Sequence, residues 1–386
     1  MLSHLLLAAL LFGAPPDAAR AAVATTPPAR YDSTLETTFY VTNRARRDAH
    51  LQRKAGDSLE FGLVVIRMVG RPAMSLAEQI LGGVTLQLVD SVRLSRADFS
   101  ARIREADAQA AVRGEGAVLY VHGYGTSFGR GIRQGAEIAH RGGFGGPFIV
   151  FSWPAHTALA TWPTPRALVS RAYRDDSVAA EHSADAFRAG LEVLLGATRP
   201  RTLTVVGHSL GAQLVAEALR APSPVHDSLE QSPLRALVFF APDISAGRFR
   251  DSLAAPITPL AGRRIVYTSA SDRMLTISHL VNHSYRVGQL NGARELVDSD
   301  VEIVDITNGR RSSGGGLLRM VDPHHAMRHA GAALYDFFGV VRGLPAACRD
   351  TDGIAERDGA RIWRLTAAPI PAFGRSVAVC PAATGF

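Results

Sequence analysis

Nine residues, Leu203–Gly211 (LTVVGHSLG), constrain the fold more than any other stretch of the chain. A β-branched apolar run reads as a buried strand, and the G-x-S-x-G turn of Gly207, Ser209 and Gly211 follows it. Leu210, Leu214, Val215, Ala218 and Leu219 then recur at helical spacing. Strand, tight turn and helix therefore meet at Ser209. A residue at the apex of so sharp a turn sits on strained backbone, and the flanking glycines leave room for strand and helix to pack closely. The predicted result is a serine hydroxyl projecting above the edge of a sheet.

From Gly116 the chain alternates short apolar runs with helical stretches. AVLYV (117–121), FIVFSW (148–153), TLTVV (202–206), ALVFF (236–240), RIVYTS (264–269) and VEIVDI (301–306) read as buried strands. Helices are predicted between them at 129–140, 178–195 and 210–220. Continuous apolar strands alternating with amphipathic helices require a mostly parallel, doubly wound sheet covered on both faces. Right-handed crossovers then bring the carboxyl ends of these strands to one edge. Along that edge lie His122–Gly125, Trp153-Pro154, Ser209, Asp243, Asp272 and the segment Asp322–His325.

Ahead of this pattern, Thr37–Thr42 (TTFYVT), Phe61–Met68 and Val84–Val92 read as strands of an antiparallel, β-rich lead-in, with NRARRD as a basic turn. A helix is predicted over Ser100–Arg113. The first residues, MLSHLLLAALLFGA, carry an apolar run too short to span a bilayer, and Ala19-Arg20-Ala21 supplies a small-x-small cleavage site. The organisation expected is a signal peptide (1–21), a mobile leader (22–35), the lead-in (36–115), a catalytic domain (116–342) and a tail (343–386). A secreted or periplasmic location follows from a cleaved signal peptide, with an uncleaved membrane anchor as the alternative. In such a compartment Cys348 and Cys380, the only cysteines, are expected to pair and close the tail.

The formal charge of +7 does not point to nucleic acid, because the positive charge is arginine spread along the chain with Lys54 as the only lysine. It implies a solvated surface with some preference for anionic ones, which leaves room for peripheral contact with the cell envelope. No phosphate-binding loop or dinucleotide fingerprint falls at a strand-to-helix turn. His279 and His283 have the i, i+4 spacing of a metal pair, but without H-E-x-x-H or a third ligand they read as solvated or packing residues.

Several separate motifs carry a resemblance: YVHGY-x-TSF at Tyr120–Phe128, FSWP at Phe151–Pro154, Y-x-x-D at Tyr173–Asp176, G-H-S-x-G at Gly207–Gly211, APDI at Ala241–Ile244 and the leading TTFYVTNR at 37–44. Over roughly 37–340 the chain resembles the α/β-hydrolase superfamily, and more closely a bacterial esterase/lipase-like family of unknown function. The resemblance implies the α/β-hydrolase fold of a serine hydrolase and no particular substrate. The nucleophile, acid and base positions together lead us to expect an enzyme that cleaves carboxylic esters, small or lipid-like, through an acyl-enzyme, with no metal or organic cofactor needed. In the superfamily's chain order of nucleophile, acid and base, Ser209 is the nucleophile, Asp272 the acid with Asp243 as the alternative, and His324 or His325 the base. His329 fits less well, as part of the final helix. Backbone N–H groups of Leu210 and Tyr124 are expected to form the oxyanion hole. The segment 155–177, with Trp162, Pro163, Pro165 and Tyr173, reads as a lid or substrate wall, and Asp175 and Asp176 as surface or helix-start carboxylates. The same residues would serve a thioesterase, amidase or acyltransferase, and a non-catalytic envelope protein could retain the fold.

Overall fold

The structure, a computed structural model, describes residues 33–48, 50–70, 84–155, 166–307, 323–328, 332–345, 349, 351–355 and 361–365. The expected signal peptide, most of the mobile leader, and both cysteines with their expected disulfide lie outside the described residues.

All six apolar runs form strands: β4 (Val118–Val121), β5 (Phe148–Ser152), β6 (Thr204–His208), β7 (Ala236–Phe240), β8 (Arg264–Thr268) and β9 (Glu302–Asp305). They are preceded by β1 (Ser33–Arg47), β2 (His50–Gly70) and β3 (Val84–Leu94), and followed by β10 (Thr351–Ala355) and β11 (Arg361–Leu365). Together they make one 11-stranded sheet in the order β10-β11-β9-β8-β7-β6-β4-β5-β1-β2-β3. Neighbouring pairs from β1 through β5, β4, β6, β7, β8 and β9 to β11 are parallel, whereas β2, β3 and β10 run antiparallel to their partners. The lead-in thus joins the same sheet, because Thr38–Thr42 pairs with Phe148–Ser152. Strand β1 therefore points its carboxyl end to the same edge as Ser209.

Helices cover both faces. On one, Phe99 and Ile103 of α1 (Arg96–Val112), Leu191 and Leu194 of α4 (Ala184–Leu195) and Leu214 of α5 (Leu210–Arg220) pack with Phe39, Phe151 and Val205. On the other, Ile132 and Ile138 of α2 (Phe128–Arg141) and Phe337 and Phe338 of α8 (Ala332–Val341) pack with Tyr120, Phe148, Val206 and Tyr267. Between these lie α3 (Arg166–His182), α6 (Pro224–Gln231) and α7 (Arg273–Asn282). Such alternation of inward side chains along each strand is what buries a sheet on both faces.

Three local differences from the sequence expectation have physical causes. NRARRD is strand through Arg47, because hairpin pairing with β2 (Arg44↔Ala55, Arg46↔Leu51) uses backbone groups whatever the side chains; the turn falls at Asp48, with φ 53°. The first helix starts four residues earlier than expected, since Ser95 caps it by accepting from the backbone N–H of Asp98 at 3.1 Å. The helix expected over 178–195 is two helices divided at Ser183, whose hydroxyl donates to the Ala179 carbonyl at 2.7 Å and accepts from Nδ2 of Asn43 at 3.0 Å.

Candidate active site

Strand β6 delivers Ser209 to the carboxyl edge of the sheet and α5 leaves from it. The backbone of Ser209 has φ 54° and ψ −121°, a conformation that a non-glycine residue holds only when its surroundings impose it. They do so through hydrogen bonds: the Ser209 N–H donates to the Phe240 carbonyl at 3.0 Å, and the Ser209 carbonyl accepts from Ala212 at 3.0 Å and from Asp243 at 3.2 Å. The glycines permit the crowding. A Cβ on Gly207 would stand 2.5 Å from the Ala212 Cα, and one on Gly211 would stand 2.4 Å from the Val121 carbonyl oxygen. Leu210 opens α5, so its N–H is among those a helix start leaves without an intrahelical acceptor.

Asp272 and His324 come together from elements 52 residues apart. The Asp272 Oδ2 lies 2.9 Å from Nδ1 of His324, while its Oδ1 caps α7 by accepting the Leu275 N–H at 2.9 Å. Both residues are buried, and His324 stands on the short 3-10 turn Pro323–Arg328. His208, adjacent to Ser209, donates from Nε2 to the His324 carbonyl at 2.8 Å, and the two rings pack with centroids 4.9 Å apart. The turn carrying His324 is thereby tied to the elbow carrying Ser209. His325 belongs to the same turn, but its side chain lies outside the described residues, as do Asp322 and His329.

Asp243 serves a different set of partners. Its Oδ1 accepts from Arg286 Nε at 2.6 Å and from the Ser278 hydroxyl at 2.6 Å, and its Oδ2 accepts from the Tyr173 hydroxyl at 2.9 Å. Arg286 also reaches the Asp243 carbonyl at 2.8 Å. These bonds join α3, α7 and the β7 end in one buried ion-paired cluster. The ring of Tyr173 also packs against Tyr124, with centroids 6.0 Å apart. Of the remaining expected lid residues, Trp162, Pro163 and Pro165 lie outside the described residues.

The loop after β4, His122–Thr126, runs beside the elbow: a Cβ on Gly123 would stand 2.9 Å from the Ser209 Cβ. Its backbone is held from several directions. Trp153 Nε1 donates to the His122 carbonyl at 2.7 Å, and the Gly125 N–H donates to Asp176 Oδ2 at 2.8 Å. Arg44 Nη2 donates to the Thr126 carbonyl at 2.8 Å, while its Nε donates to the Ser152 hydroxyl at 3.0 Å. Asp176 is fully buried, which corrects the expectation of a surface or helix-start carboxylate; Asp175 beside it is exposed. The bare Y-x-x-D spacing gave no clue that the carboxylate faces inward to a loop N–H. Arg44 is also buried, and burial lowers its pKa to about 10, with the charge of Asp176 acting in the opposite direction. It stays cationic at neutral pH.

His122 is enclosed, its ring stacked on Trp153 with centroids 5.3 Å apart. Burial first, and then the charge of Arg44, lowers its pKa to about 3, so the ring is neutral. His279 stacks on Tyr285 (4.7 Å), and His283 ends α7 in the left-handed region. Among the described residues no three His, Cys, Asp or Glu side chains are grouped to hold a metal, and no helix is long and apolar enough to cross a membrane.

A family model described as "Alpha/beta hydrolase of unknown function (DUF900)" matches residues 99–319. No curated protein matches. Among solved structures the chain is similar to an esterase of Pyrobaculum calidifontis, at 12% identity and TM-score 0.30, covering 65% of this chain and 93% of that one. It is similar to an acylaminoacyl peptidase of Pyrococcus horikoshii, at 12% identity and TM-score 0.33, covering 72% and 52%. A fungal esterase structure from Rhizomucor miehei gives 13% identity and TM-score 0.30, covering 80% and 84%.

Proposed function

Because the chain belongs to this DUF900 family of α/β-hydrolases, we propose that it is a serine hydrolase cleaving carboxylic esters through an acyl-enzyme. The observation that carries the reading is the 2.9 Å approach of His324 Nδ1 to Asp272 Oδ2, on a turn tied by His208 to the strained elbow at Ser209. A carboxylate at Nδ1 keeps the proton there and leaves Nε2 of His324 as the basic nitrogen. A serine hydroxyl is hardly ionised at neutral pH and needs such a base.

In the proposed reaction Ser209 Oγ attacks the ester carbonyl carbon while its proton passes to Nε2 of His324. The carbonyl π electrons move to oxygen, and the oxyanion is met by the Leu210 and Tyr124 N–H groups. Collapse breaks the bond to the alcohol oxygen, which takes the proton from His324 and leaves. Water then attacks the acyl-serine and gives its proton to His324. The second tetrahedral intermediate releases the acid as Ser209 Oγ regains that proton. Asp272 remains ionised throughout and balances the transient imidazolium.

Hydrolysis of a p-nitrophenyl ester panel by the full chain tests this reading. Turnover by the wild type, its loss in Ser209→Ala, and labelling of the wild type alone by a fluorophosphonate are expected. A Ser209→Ala protein that still turns over the panel, or a wild type that neither hydrolyses nor labels, overturns it.

A further inference from the structure

In the proposed reaction the N–H of the Gly123–Tyr124 peptide is the second oxyanion donor. In a trans peptide the C=O and N–H point in opposite directions, so whatever holds the Gly123 carbonyl also aims the Tyr124 N–H. The Gly123 carbonyl lies 3.1 Å from Nδ1 of its neighbour His122. A carbonyl only accepts, so this contact requires the Nδ1–H form of the ring. In a neutral ring Nε2 is then an acceptor, and it lies 3.3 Å from the Ser152 hydroxyl. The hydroxyl must donate there, and it does so while accepting from Arg44 Nε at 3.0 Å. A guanidinium only donates. The ring also has a backbone contact to Trp153; with its Nδ1–H on the Gly123 carbonyl, the bonds run from Arg44 to Ser152 to His122 to that carbonyl.

The rest of the loop is fixed around this peptide. Arg44 extends a second arm to the Thr126 carbonyl at 2.8 Å and a third to the Gln52 carbonyl at 3.3 Å, and Asp176 takes the Gly125 N–H at 2.8 Å. Trp153 holds the His122 carbonyl at 2.7 Å. Every bonded group here is buried or partly buried, so the arrangement is shielded from competing water.

We infer that Arg44, acting through Ser152 and His122, is a positioning residue that aims the Tyr124 N–H at the oxyanion. The inference rests on the serine hydrolase reading. It also gives the β-rich lead-in a part in the chemistry, since Arg44 lies outside the matched residues 99–319, on a strand that reaches the site edge only because β1 pairs parallel with β5. Arginine suits this position because its planar fork serves three acceptors at fixed angles, which a lysine ammonium on a flexible stem does not reproduce.

The test compares wild type, Ser209→Ala, Ser152→Ala and Arg44→Lys in the full chain. Hydrolysis of p-nitrophenyl butyrate is measured together with the affinity of a trifluoromethyl ketone, which forms a tetrahedral adduct with an active serine. With the wild type active and Ser209→Ala inactive, Ser152→Ala is expected to lose roughly tenfold to a hundredfold in kcat, the scale of a misplaced catalytic donor. KM should hold within about twofold, as for an interaction made only in the transition state. The ketone affinity should fall by the same factor as kcat/KM, a correlation that general loosening of the fold does not produce. Arg44→Lys should behave alike. Ser152→Ala deletes one oxygen and no carbon, so it decides the matter if Arg44→Lys does not fold. Wild-type kcat in Ser152→Ala, or a lowered kcat with unchanged ketone affinity, overturns the positioning role while leaving the serine chemistry standing. Turnover by Ser209→Ala overturns both.

Discussion

Nδ1 of His324 lies 2.9 Å from Oδ2 of Asp272, and the other oxygen of that carboxylate is occupied in capping α7 through Leu275. One side chain thus finishes a helix and faces an imidazole, so the helix start holds the carboxylate in place.

Asp272→Asn separates the two roles, because asparagine caps a helix about as well as aspartate does. Stability should change by less than about 1 kcal/mol. In the proposed mechanism kcat should fall by about 10⁴, the scale seen when an amide replaces the acid of such a triad and favours the wrong tautomer. Asp243→Asn should show the opposite pattern. It leaves the buried Arg286 guanidinium without its counter-ion, a change worth about 3–5 kcal/mol in stability, while the folded protein keeps its turnover. Steady-state kinetics and urea unfolding of both variants make the comparison. Lost turnover in a folded Asp243→Asn protein beside an active Asp272→Asn protein would reverse the assignment.

Gly211→Ala examines the elbow as packing. The added methyl would stand 2.4 Å from the Val121 carbonyl oxygen and 2.5 Å from that of His122, both backbone atoms of the central strand and the loop after it. Neither can rotate away as a side chain could. Overpacking of this kind should cost about 1–3 kcal/mol or more, read as a lowered urea midpoint at unchanged m. A midpoint equal to that of the wild type would show that the strand and helix have slack at this crossing.

Much of the fold was legible because it rests on local patterns. The strands β4 to β9 are short apolar runs, and α5 follows Ser209 at helical spacing, so the sheet edge and its order of residues could be read directly. Arg44, Ser152 and Asp176 could not be read in that way. A basic residue in NRARRD looks solvated, and only the long-range pairing of β1 with β5 buries it 108 residues away from its partner Ser152. The strands β10 and β11 were hidden for a related reason. Arg361–Leu365 is a short run in a tail rich in Pro and Ala, and it takes its place in the sheet by pairing parallel with β9.

The neutral state of His122 makes a prediction about acid stability. Its folded pKa of about 3 lies below the ordinary histidine value of 6.5, so between these two values the unfolded chain binds the extra proton. Its contribution to stability is therefore complete above pH 6.5 and is lost as the pH falls toward 3. At about 1.36 kcal/mol per unit, the contribution is at most roughly 4–5 kcal/mol. Urea unfolding at about pH 7.5 and about pH 4.5, on either side of the ordinary histidine value, should show a smaller difference for His122→Gln than for the wild type. Equal differences in the two proteins would mean that the enclosed imidazole takes up its proton without opening the fold.

Tyr173 supplies the last prediction, since its hydroxyl joins α3 to Asp243 at 2.9 Å and lies 3.2 Å from the Ser278 hydroxyl. Burial, followed by the negative charge of Asp243, raises its pKa, so the phenol remains a donor well above neutral pH. A phenol whose folded pKa is raised contributes stability that is present below about pH 10 and lost as the pH climbs past it. Tyr173→Phe removes the bond to a charged acceptor and should cost about 1.5–3 kcal/mol near pH 7, with a smaller loss above about pH 10 than the wild type shows. The ring against Tyr124 is kept, so turnover should stay near that of the wild type while the unfolding midpoint drops. A midpoint unchanged at neutral pH would place the stability of this cluster in the Asp243–Arg286 pair alone.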